Sequence, residues 1–286
     1  MSRHVAQQGF VTLAINTDST DYLRLAYLQA LNIKATQSVK QCAVIVDQAT
    51  LEQVTEKHRQ VFDHVIPTNL VEGNGPYANE WHVWWLTPYK ETIKLESDLL
   101  FTRSIDHWWD AFRLHEVCLS HGCKTYQQTP GTSRKYRQLF DDNNLPDTYN
   151  GLMYFRYSET GKQFFELARQ IFENWTAVRA ELKNCADEYP TTDVVYALAA
   201  KIMDTPCYNP SLDFINFVHM KSGMQGWSDD QAWTDYCVTE RNGDMIRINN
   251  INQLHPVHYH AKDYATDELI EYYERRVIQD ISSTNA

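Results

Sequence analysis

Glu96 and Asp98 are two acidic residues one position apart, between a β-prone run at 91–95 and an apolar triplet at 99–101. Where the backbone bends after a strand, both carboxylates can turn towards one hard cation. Mg²⁺ and Mn²⁺ prefer oxygen ligands and commonly bridge to the phosphates of a substrate. A solvated acidic turn has the same pattern, so the pair indicates a metal site only together with its context.

The residues before this acidic turn alternate between β-prone and helical segments. Strands are expected at 10–15, 42–46 and 64–66, and helices at about 22–31 and 50–60. This β-α-β-α-β order predicts a parallel sheet with helices on its faces. Strand ends in such sheets converge on a crevice where nucleotides commonly bind.

The remainder of the chain continues the α/β pattern. The acidic turn lies between strands expected at 91–95 and 99–101, and a further strand is expected at 149–157. Helices are expected at 80–86, 107–120, 161–184 and 192–203, and from 267 onwards. The chain has no internal repeat and no linker rich in Gly, Ser or Pro, which indicates one domain.

The composition restricts the class of protein. With 286 residues, 43% of them apolar, and 8 Trp, 17 Tyr and 11 Phe, the chain is too hydrophobic to be disordered. The net charge of −11 argues against a broad basic face for nucleic acid. No apolar run approaches the roughly 20 residues of a membrane helix, and the N-terminus lacks a signal-peptide layout. A soluble cytoplasmic protein without a membrane partner is therefore expected.

The segment 86–101, followed by 105–109, resembles the central motif of glycosyltransferases with the GT-A fold. In that family a strand ends in an acidic "DxD" element that holds a divalent metal and the donor's diphosphate. Here Glu96 takes the first acidic position, so Asp98 is the safer ligand. The resemblance implies Mn²⁺ or Mg²⁺ as cofactor and a GT-A-like (Rossmann-like) α/β fold with a mixed, mostly parallel sheet flanked by helices. The single domain 1–286 would comprise a nucleotide-binding half (about 1–100), an acceptor-side half (about 101–265) and a C-terminal helix (266–286).

Three other segments continue the resemblance: 14–22 is similar to the family's uridine-binding edge, 149–155 to its "fNsGvm" strand, and 190–193 to its "p-x-D-q" segment. The nucleotide-sugar-binding residues implied in this way are Ile15, Asn16, Thr17, Tyr22, Glu96, Ser97, Asp98, Asn150 and Gly151. Tyr22 is equally well explained as a residue that attaches the first helix to the sheet. The carboxylate of Asp193 would bind acceptor or donor hydroxyls, although a place in the first turn of a helix also explains it.

The tripeptide His-x-Lys occurs twice near the C-terminus, at His219/Lys221 and at His260/Lys262. In related transferases a late His completes the metal site, and a Lys neutralises the leaving diphosphate. Both pairs stay candidates, with His219 and His260 as possible metal ligands and Lys221 and Lys262 as possible catalytic residues. His219 is favoured because it ends an apolar run. His258 and His260 alternate with Val257 and Tyr259, so both are also explained as one polar face of a strand.

The function implied is a metal-dependent transfer of sugar from a nucleoside-diphosphate sugar, with UDP favoured, to an acceptor hydroxyl, with Asp193 orienting or deprotonating that hydroxyl. The chain also resembles glycosyltransferase-like proteins of T4-type bacteriophages, some of which attach glucose or arabinose to 5-hydroxymethylcytosine in DNA. This resemblance implies 5-hydroxymethylcytosine in phage DNA as the preferred acceptor, with glucosyl or arabinosyl transfer. Residues 119–140 contain no acidic residue, and their cations are candidate contacts to double-stranded DNA in the host cytoplasm: Lys124, Arg134, Lys135 and Arg137. The alternatives are a saccharide or protein acceptor, a sugar nucleotidyltransferase, and a non-catalytic nucleotide-sugar-binding protein.

Overall fold

The computed structural model describes residues 5–69, 79–131, 134–205, 207–208, 215–228 and 230–284. Its main feature is a seven-stranded mixed sheet. The strands of this sheet are β1 Ala6–Leu13, β2 Cys42–Val46, β3 His64–Pro67, β4 Tyr89–Leu95, β6 Val117–His121, β7 Thr148–Arg156 and β8 Cys207–Tyr208. The helices are α1 Tyr22–Thr36, α2 Gln48–Leu51, α3 Glu56–Val61, α4 Val83–Leu86, α5 Asp106–Phe112, α6 Arg134–Asp142, α7 Glu159–Glu173, α8 Trp175–Glu181, α9 Thr192–Met203 and α10 Asp267–Thr284.

The strand order across the sheet is β3-β2-β1-β4-β7-β6-β8. Strands β1 to β4 are parallel to one another, whereas β7 is antiparallel to both β4 and β6. The predicted mixed, mostly parallel α/β sheet is thus confirmed. Thr12 of β1 pairs with Leu95 of β4, so the segments that follow these two strands leave the same edge of the sheet.

Both faces of the sheet are covered. Phe10 and Val11 are adjacent in β1 but belong to separate hydrophobic cores, because successive side chains of a strand point to opposite faces. The core around Phe10 includes apolar residues of α1, α5 and α10, and the core around Val11 includes those of α7 and α9. One layer of helices therefore covers each face of the sheet.

A second, three-stranded sheet lies at the end of β4. Its strands are β5 Leu99–Leu100, β9 Val218–His219 and β13 Val257–His258. In the centre, β13 is antiparallel to β5 and parallel to β9, so His258 pairs with Leu99 on one side and with His219 on the other. This small sheet brings the late histidines beside the acidic turn. A third sheet is formed by β10 Thr239–Asn242, β11 Met245–Ile248 and β12 Ile251–Asn252.

Three sequence-based helix boundaries were wrong. The helix expected at 107–120 ends at Phe112, and 117–121 instead forms β6, because Val117 and Leu119 are buried against β7 in the sheet. The helix expected at 161–184 is divided at Asn174 into α7 and α8. The helix expected at 50–60 is two short helices, the second of which begins after the capping residue Thr55.

None of the helices in the described part of the chain combines the length and hydrophobicity that crossing a bilayer requires.

Candidate functional site

The acidic turn between β4 and β5 is fixed by hydrogen bonds from three other elements. The backbone N–H of Glu96 donates to the carbonyl of Gly151 on β7 at 3.1 Å. The Gln29 side chain of α1 donates from Nε2 to the carbonyls of Glu96 and Leu99, at 2.6 and 2.9 Å. The carbonyl of Asp98 accepts from the N–H of Tyr259 at 2.9 Å. The turn is thus held in one conformation before any ligand binds.

Glu96, Asp98 and His258 form a cluster, with one ligand atom from each lying within 4.8 Å of the others. The imidazole Nε2 of His258 is 3.0 Å from Asp98 Oδ1 and 3.2 Å from Glu96 Oε2. Asp98 and His258 are buried, whereas the Glu96 side chain is 33% exposed. The cluster therefore opens to solvent on the Glu96 side.

The charges of the cluster are strongly coupled. Burial alone would raise the pKa of Asp98, but the neighbouring His258 and Lys262 outweigh it and hold the pKa below its usual value. Burial alone would lower the pKa of His258, but Asp98 and Glu96 raise it. Burial raises the pKa of Glu96. In this structure His258 and Lys262 therefore compensate the negative charge of the two carboxylates.

This donor set fits the implied metal. Two carboxylates suit Mg²⁺ or Mn²⁺, and an imidazole is a common ligand of transition metals, so the combination fits Mn²⁺. The Nδ1 atom of His258 is buried and forms no hydrogen bond in the described structure. The Nε2 atom of the same ring faces the carboxylates. The residues present could therefore hold a divalent ion through Glu96, Asp98 and His258.

The structure distinguishes among the late histidines. His258, which the sequence pattern assigned to the polar face of a strand, contacts the carboxylates. His219 stacks behind it, with ring centroids 4.6 Å apart and planes 5° apart, and burial together with His258 lowers the pKa of His219 well below its usual value. His260 is exposed and its ring centroid lies 6.2 Å from that of His258. The contact that the sequence interpretation expected of His219 or His260 is therefore made by His258.

The two candidate lysines also differ in position. Lys262 Nζ makes a short ion pair with Asp98 Oδ2 and lies 5.6 Å from the ring centroid of Tyr22, at the start of α1. Lys221 follows β9 and precedes a short 3₁₀ turn at Ser222–Gln225. Lys262 therefore contacts the acidic turn, and the Tyr22 ring lies beside the same site.

The segment after β1 leaves the sheet at the same edge as the acidic turn. Asn16 uses its side chain to order this segment: Oδ1 accepts from the N–H of Leu23 at 2.8 Å, and Nδ2 donates to Asp21 and Gln53. Ile15 is half-buried and Thr17 is exposed. The predicted base-binding edge therefore lies next to the site, but the Asn16 amide is occupied by the protein's own groups. Ser97, between the two acidic residues, is buried.

Asn150 and Asp193 are connected to the acidic turn through β7. Asp193, in the first turn of α9, accepts the backbone N–H of Asn150 at its Oδ1 atom, at 2.7 Å. Asn150 precedes Gly151, whose carbonyl binds Glu96. The buried Oδ1 of Asn150 has no hydrogen-bond partner in the described structure. β7 thus connects Asp193 to the carboxylate cluster through two consecutive residues.

Gly151 has a packing role that the sequence analysis did not anticipate. A Cβ atom added at this position would lie 2.8 Å from Cζ of the buried Phe217 ring.

We expect Gly151→Ala to lower the free energy of unfolding by about 1–3 kcal/mol, as overpacking of a core does. Urea denaturation measures this, and adding Phe217→Leu should recover part of the loss. Equal losses in the single and double variants would contradict this explanation.

The cations expected to form an exposed patch do not all lie on the surface. The Lys124 residue is 6% exposed, and its backbone pairs with Phe217 and His219. Arg137 is 2% exposed and binds Asp147 and Asp193. For these two residues the expectation of a DNA-contacting surface was wrong, because both are buried. The side chains of Arg134 and Lys135, at the start of α6, lie outside the described residues.

Gln29 is a site residue that the sequence analysis missed. It is 1% exposed, and a buried glutamine within the apolar face of α1 is the signal that could have identified it, since such groups need partners.

We expect Gln29→Leu to lower the free energy of unfolding by about 1–3 kcal/mol, because two buried carbonyls lose their donor. Metal affinity should also fall. Gln48→Leu is the matched exposed control, and equal melting curves for the two variants would contradict the assignment.

No protein-family model matches this sequence, and no protein of curated function matches it. Among solved structures, the galactosyltransferase LgtC in complex with donor and acceptor sugar analogs matches with a TM-score of 0.51 and 11% identity, over 96% of each chain. Mouse xyloside xylosyltransferase 1 has a TM-score of 0.47 and 10% identity, over 71% of this chain and 84% of that one. GlyE of Streptococcus pneumoniae has a TM-score of 0.42 and 11% identity, over 71% of this chain and 45% of that one, so the chain spans less than half of GlyE.

The full-length match to LgtC agrees with the architecture described above, in which a mixed sheet ends in an acidic turn beside a small second sheet. A sequence identity of 11% supports a shared fold but no shared activity or substrate. The protein therefore has the GT-A fold.

Proposed function

We propose that this protein is a metal-dependent glycosyltransferase that moves a sugar from a nucleoside-diphosphate sugar, preferentially UDP-linked, to an acceptor hydroxyl. The observation that carries the proposal is the Glu96, Asp98 and His258 cluster, with Lys262 in contact, at the end of β4 in a GT-A fold. In the reaction the bond from the sugar's anomeric carbon to the phosphate oxygen breaks. A bond to the acceptor oxygen forms, the hydroxyl proton is released and the nucleoside diphosphate leaves.

When bound, Mn²⁺ or Mg²⁺ would act as a Lewis acid on the diphosphate. The chain's own contribution is to hold its ligands in place, since the acidic turn is fixed by Gln29, Gly151 and Tyr259 before binding. Preorganised groups cost little reorganisation in the transition state. We assign Mn²⁺ as the preferred ion because of the imidazole ligand.

Lys262 is assigned to the departing diphosphate. Its ammonium group already contacts the turn at Asp98, and negative charge develops on the phosphate oxygens as the bond to the sugar breaks. A cation at that position stabilises the transition state more than the ground state. Lys262 is preferred over Lys221 because of its ion pair with Asp98.

The nucleoside is assigned to the edge formed by the segment 15–17 and Tyr22. This edge lies beside the acidic turn because β1 and β4 are parallel neighbours. The Tyr22 ring is half-buried and adjacent to Lys262, and an aromatic ring with a polar end suits a nucleobase.

A donor assay tests the proposal. The purified protein is incubated with UDP-sugars and Mn²⁺, and released UDP is measured. We expect UDP release that is lost with EDTA and restored by Mn²⁺. Release of pyrophosphate would instead indicate a nucleotidyltransferase, and binding of UDP with Mn²⁺ without any turnover would indicate a non-catalytic binding protein.

The acceptor proposed from the sequence resemblance is 5-hydroxymethylcytosine in phage DNA. The buried Lys124 and Arg137 give this acceptor no support, so it depends on the resemblance and on Arg134 and Lys135. Transfer to hydroxymethylated duplex DNA that falls steeply with added salt would support it, because phosphate contacts release counterions. Transfer to a saccharide or protein in place of that DNA would exclude it.

A further inference from the structure

Arg137 lies in an unusual place for an arginine. It is on α6 and 2% exposed, with the carbon of its guanidinium 3.6 Å from the ring centroid of Phe140 and 3.9 Å from that of Tyr149. Rings that lie this close to the guanidinium restrict its rotation. The N–H groups at the edge of the guanidinium therefore determine which groups Arg137 binds.

Those N–H groups donate to two carboxylates and a main-chain carbonyl. Nε donates to Asp147 Oδ1 at 2.6 Å, and a terminal nitrogen donates to Asp193 Oδ2 at 2.9 Å. The other terminal nitrogen makes a short hydrogen bond to the carbonyl of Thr148. One buried positive charge is therefore shared between two carboxylates, and its geometry is set by a planar donor group.

Asp193 is fixed at both of its carboxylate oxygens. Oδ2 binds Arg137, and Oδ1 accepts the N–H of Asn150. The main-chain carbonyl of Asp193 also accepts the Thr148 hydroxyl at 2.8 Å. A continuous path of bonds thus runs from Arg137 through Asp193 and Asn150–Gly151 to the backbone of Glu96.

The Asp193 side chain is 21% exposed, although its partner Arg137 is buried. Part of the Asp193 side chain is therefore accessible to a ligand, while Arg137 holds the carboxylate from the buried side. Because each carboxylate oxygen has more than one lone-pair site, a carboxylate held in this way can still accept a further hydrogen bond from a ligand hydroxyl.

We propose that Arg137 is a positioning residue: supported by Asp147, it holds the Asp193 carboxylate in the single orientation in which that carboxylate aligns the hydroxyl that attacks the sugar. This inference rests on the proposed function, and it deepens it by naming the residue that orients Asp193. Arg137 itself touches neither donor nor acceptor. The cation that the sequence pattern assigned to a DNA surface thus acts from inside the protein.

The test uses Arg137→Lys, which keeps the charge but loses the planar fork. We expect the kcat for hydrolysis of the UDP-sugar that is active in the donor assay to fall about 10- to 100-fold, as for other lost supporting contacts. The Kd for UDP with Mn²⁺, measured by calorimetry, should stay within about twofold because the carboxylate cluster is intact. Asp147→Asn keeps a hydrogen-bond acceptor for Arg137 and should give a smaller loss of kcat with the same Kd. Arg169→Lys, the same change at a partly exposed i,i+4 pair, is the control.

An unchanged kcat in Arg137→Lys would overturn the proposal. Equal losses of kcat and of UDP affinity would also overturn it, since they would indicate a general collapse of the site. If Arg137→Lys does not fold, Asp147→Asn decides by the same criteria. If the wild-type protein releases no UDP, the proposed function has failed. Crystal structures of the wild-type protein and of Arg137→Lys then test the positioning role. The contact between Asp193 Oδ1 and the N–H of Asn150 should be lost in Arg137→Lys, and its retention would contradict the role.

Discussion

Asp98→Asn should reduce turnover of the UDP-sugar by about 10³-fold or more, since a divalent ion supplies several kcal/mol of transition-state stabilisation and 1.36 kcal/mol corresponds to a factor of ten. Asp98 contacts both His258 and Lys262, so the substitution removes the negative charge at the centre of the cluster while retaining the side chain's shape. Mn²⁺ binding, measured by calorimetry, should weaken in parallel.

Asp110→Asn is the matched control for this change, because the Asp110 side chain is 82% exposed and lies on α5, away from the turn. Circular dichroism must show that both variants are folded. Normal UDP release by folded Asp98→Asn would remove the metal assignment and, with it, the basis of the proposed function.

Lys262→Met has the second largest expected effect. Removing one group that stabilises developing negative charge costs about 10²- to 10³-fold in kcat in other enzymes, and methionine keeps most of the length and the apolar stem of lysine. The Kd for UDP with Mn²⁺ should change far less than kcat, because the charge on the phosphate increases as the bond to the sugar breaks. Steady-state kinetics of UDP release and calorimetry measure the two quantities.

Lys162→Met is the control for this substitution, since Lys162 is 42% exposed and pairs with Glu166 on the surface of α7. Lys221→Met tests the other His-x-Lys pair. An inactive Lys221→Met together with an active Lys262→Met would show that the wrong lysine has been assigned to the leaving group.

Much of the architecture could be predicted from local patterns. The apolar run at 42–46 forms β2, and the helix expected from 267 onwards is α10, which begins at Asp267. The acidic turn was placed correctly between β4 and β5, because it interrupts two apolar runs within a few residues. These features depend on periodicity and on neighbours in the chain, which the sequence displays directly.

The prediction at 117–121 failed for a tertiary reason. Val117–His121 follows a helix and could extend it, but the segment pairs with β7 and β8 and buries its side chains there. Strand formation in such a segment depends on partners that are far away in the chain, so local propensity is overridden.

The tertiary structure changed the preferred histidine for a similar reason. Alternation would place His258 and His260 on one face of a strand, but β13 ends at His258 and the backbone at His260 has a left-handed φ of 58°. The two side chains therefore do not share a face. His258 reaches the carboxylates because β13 pairs with β5, directly beside the acidic turn.

The sequence alone identified an α/β chain with an acidic turn suited to a divalent cation, because residue type and spacing encode both properties locally. The tertiary structure decided which partners meet that turn: His258 and Lys262 in contact, Gln29 behind the backbone, and Arg137 inside the protein against Asp193. The physical reason is that burial and strand register set these contacts, and both depend on residues far apart in the chain.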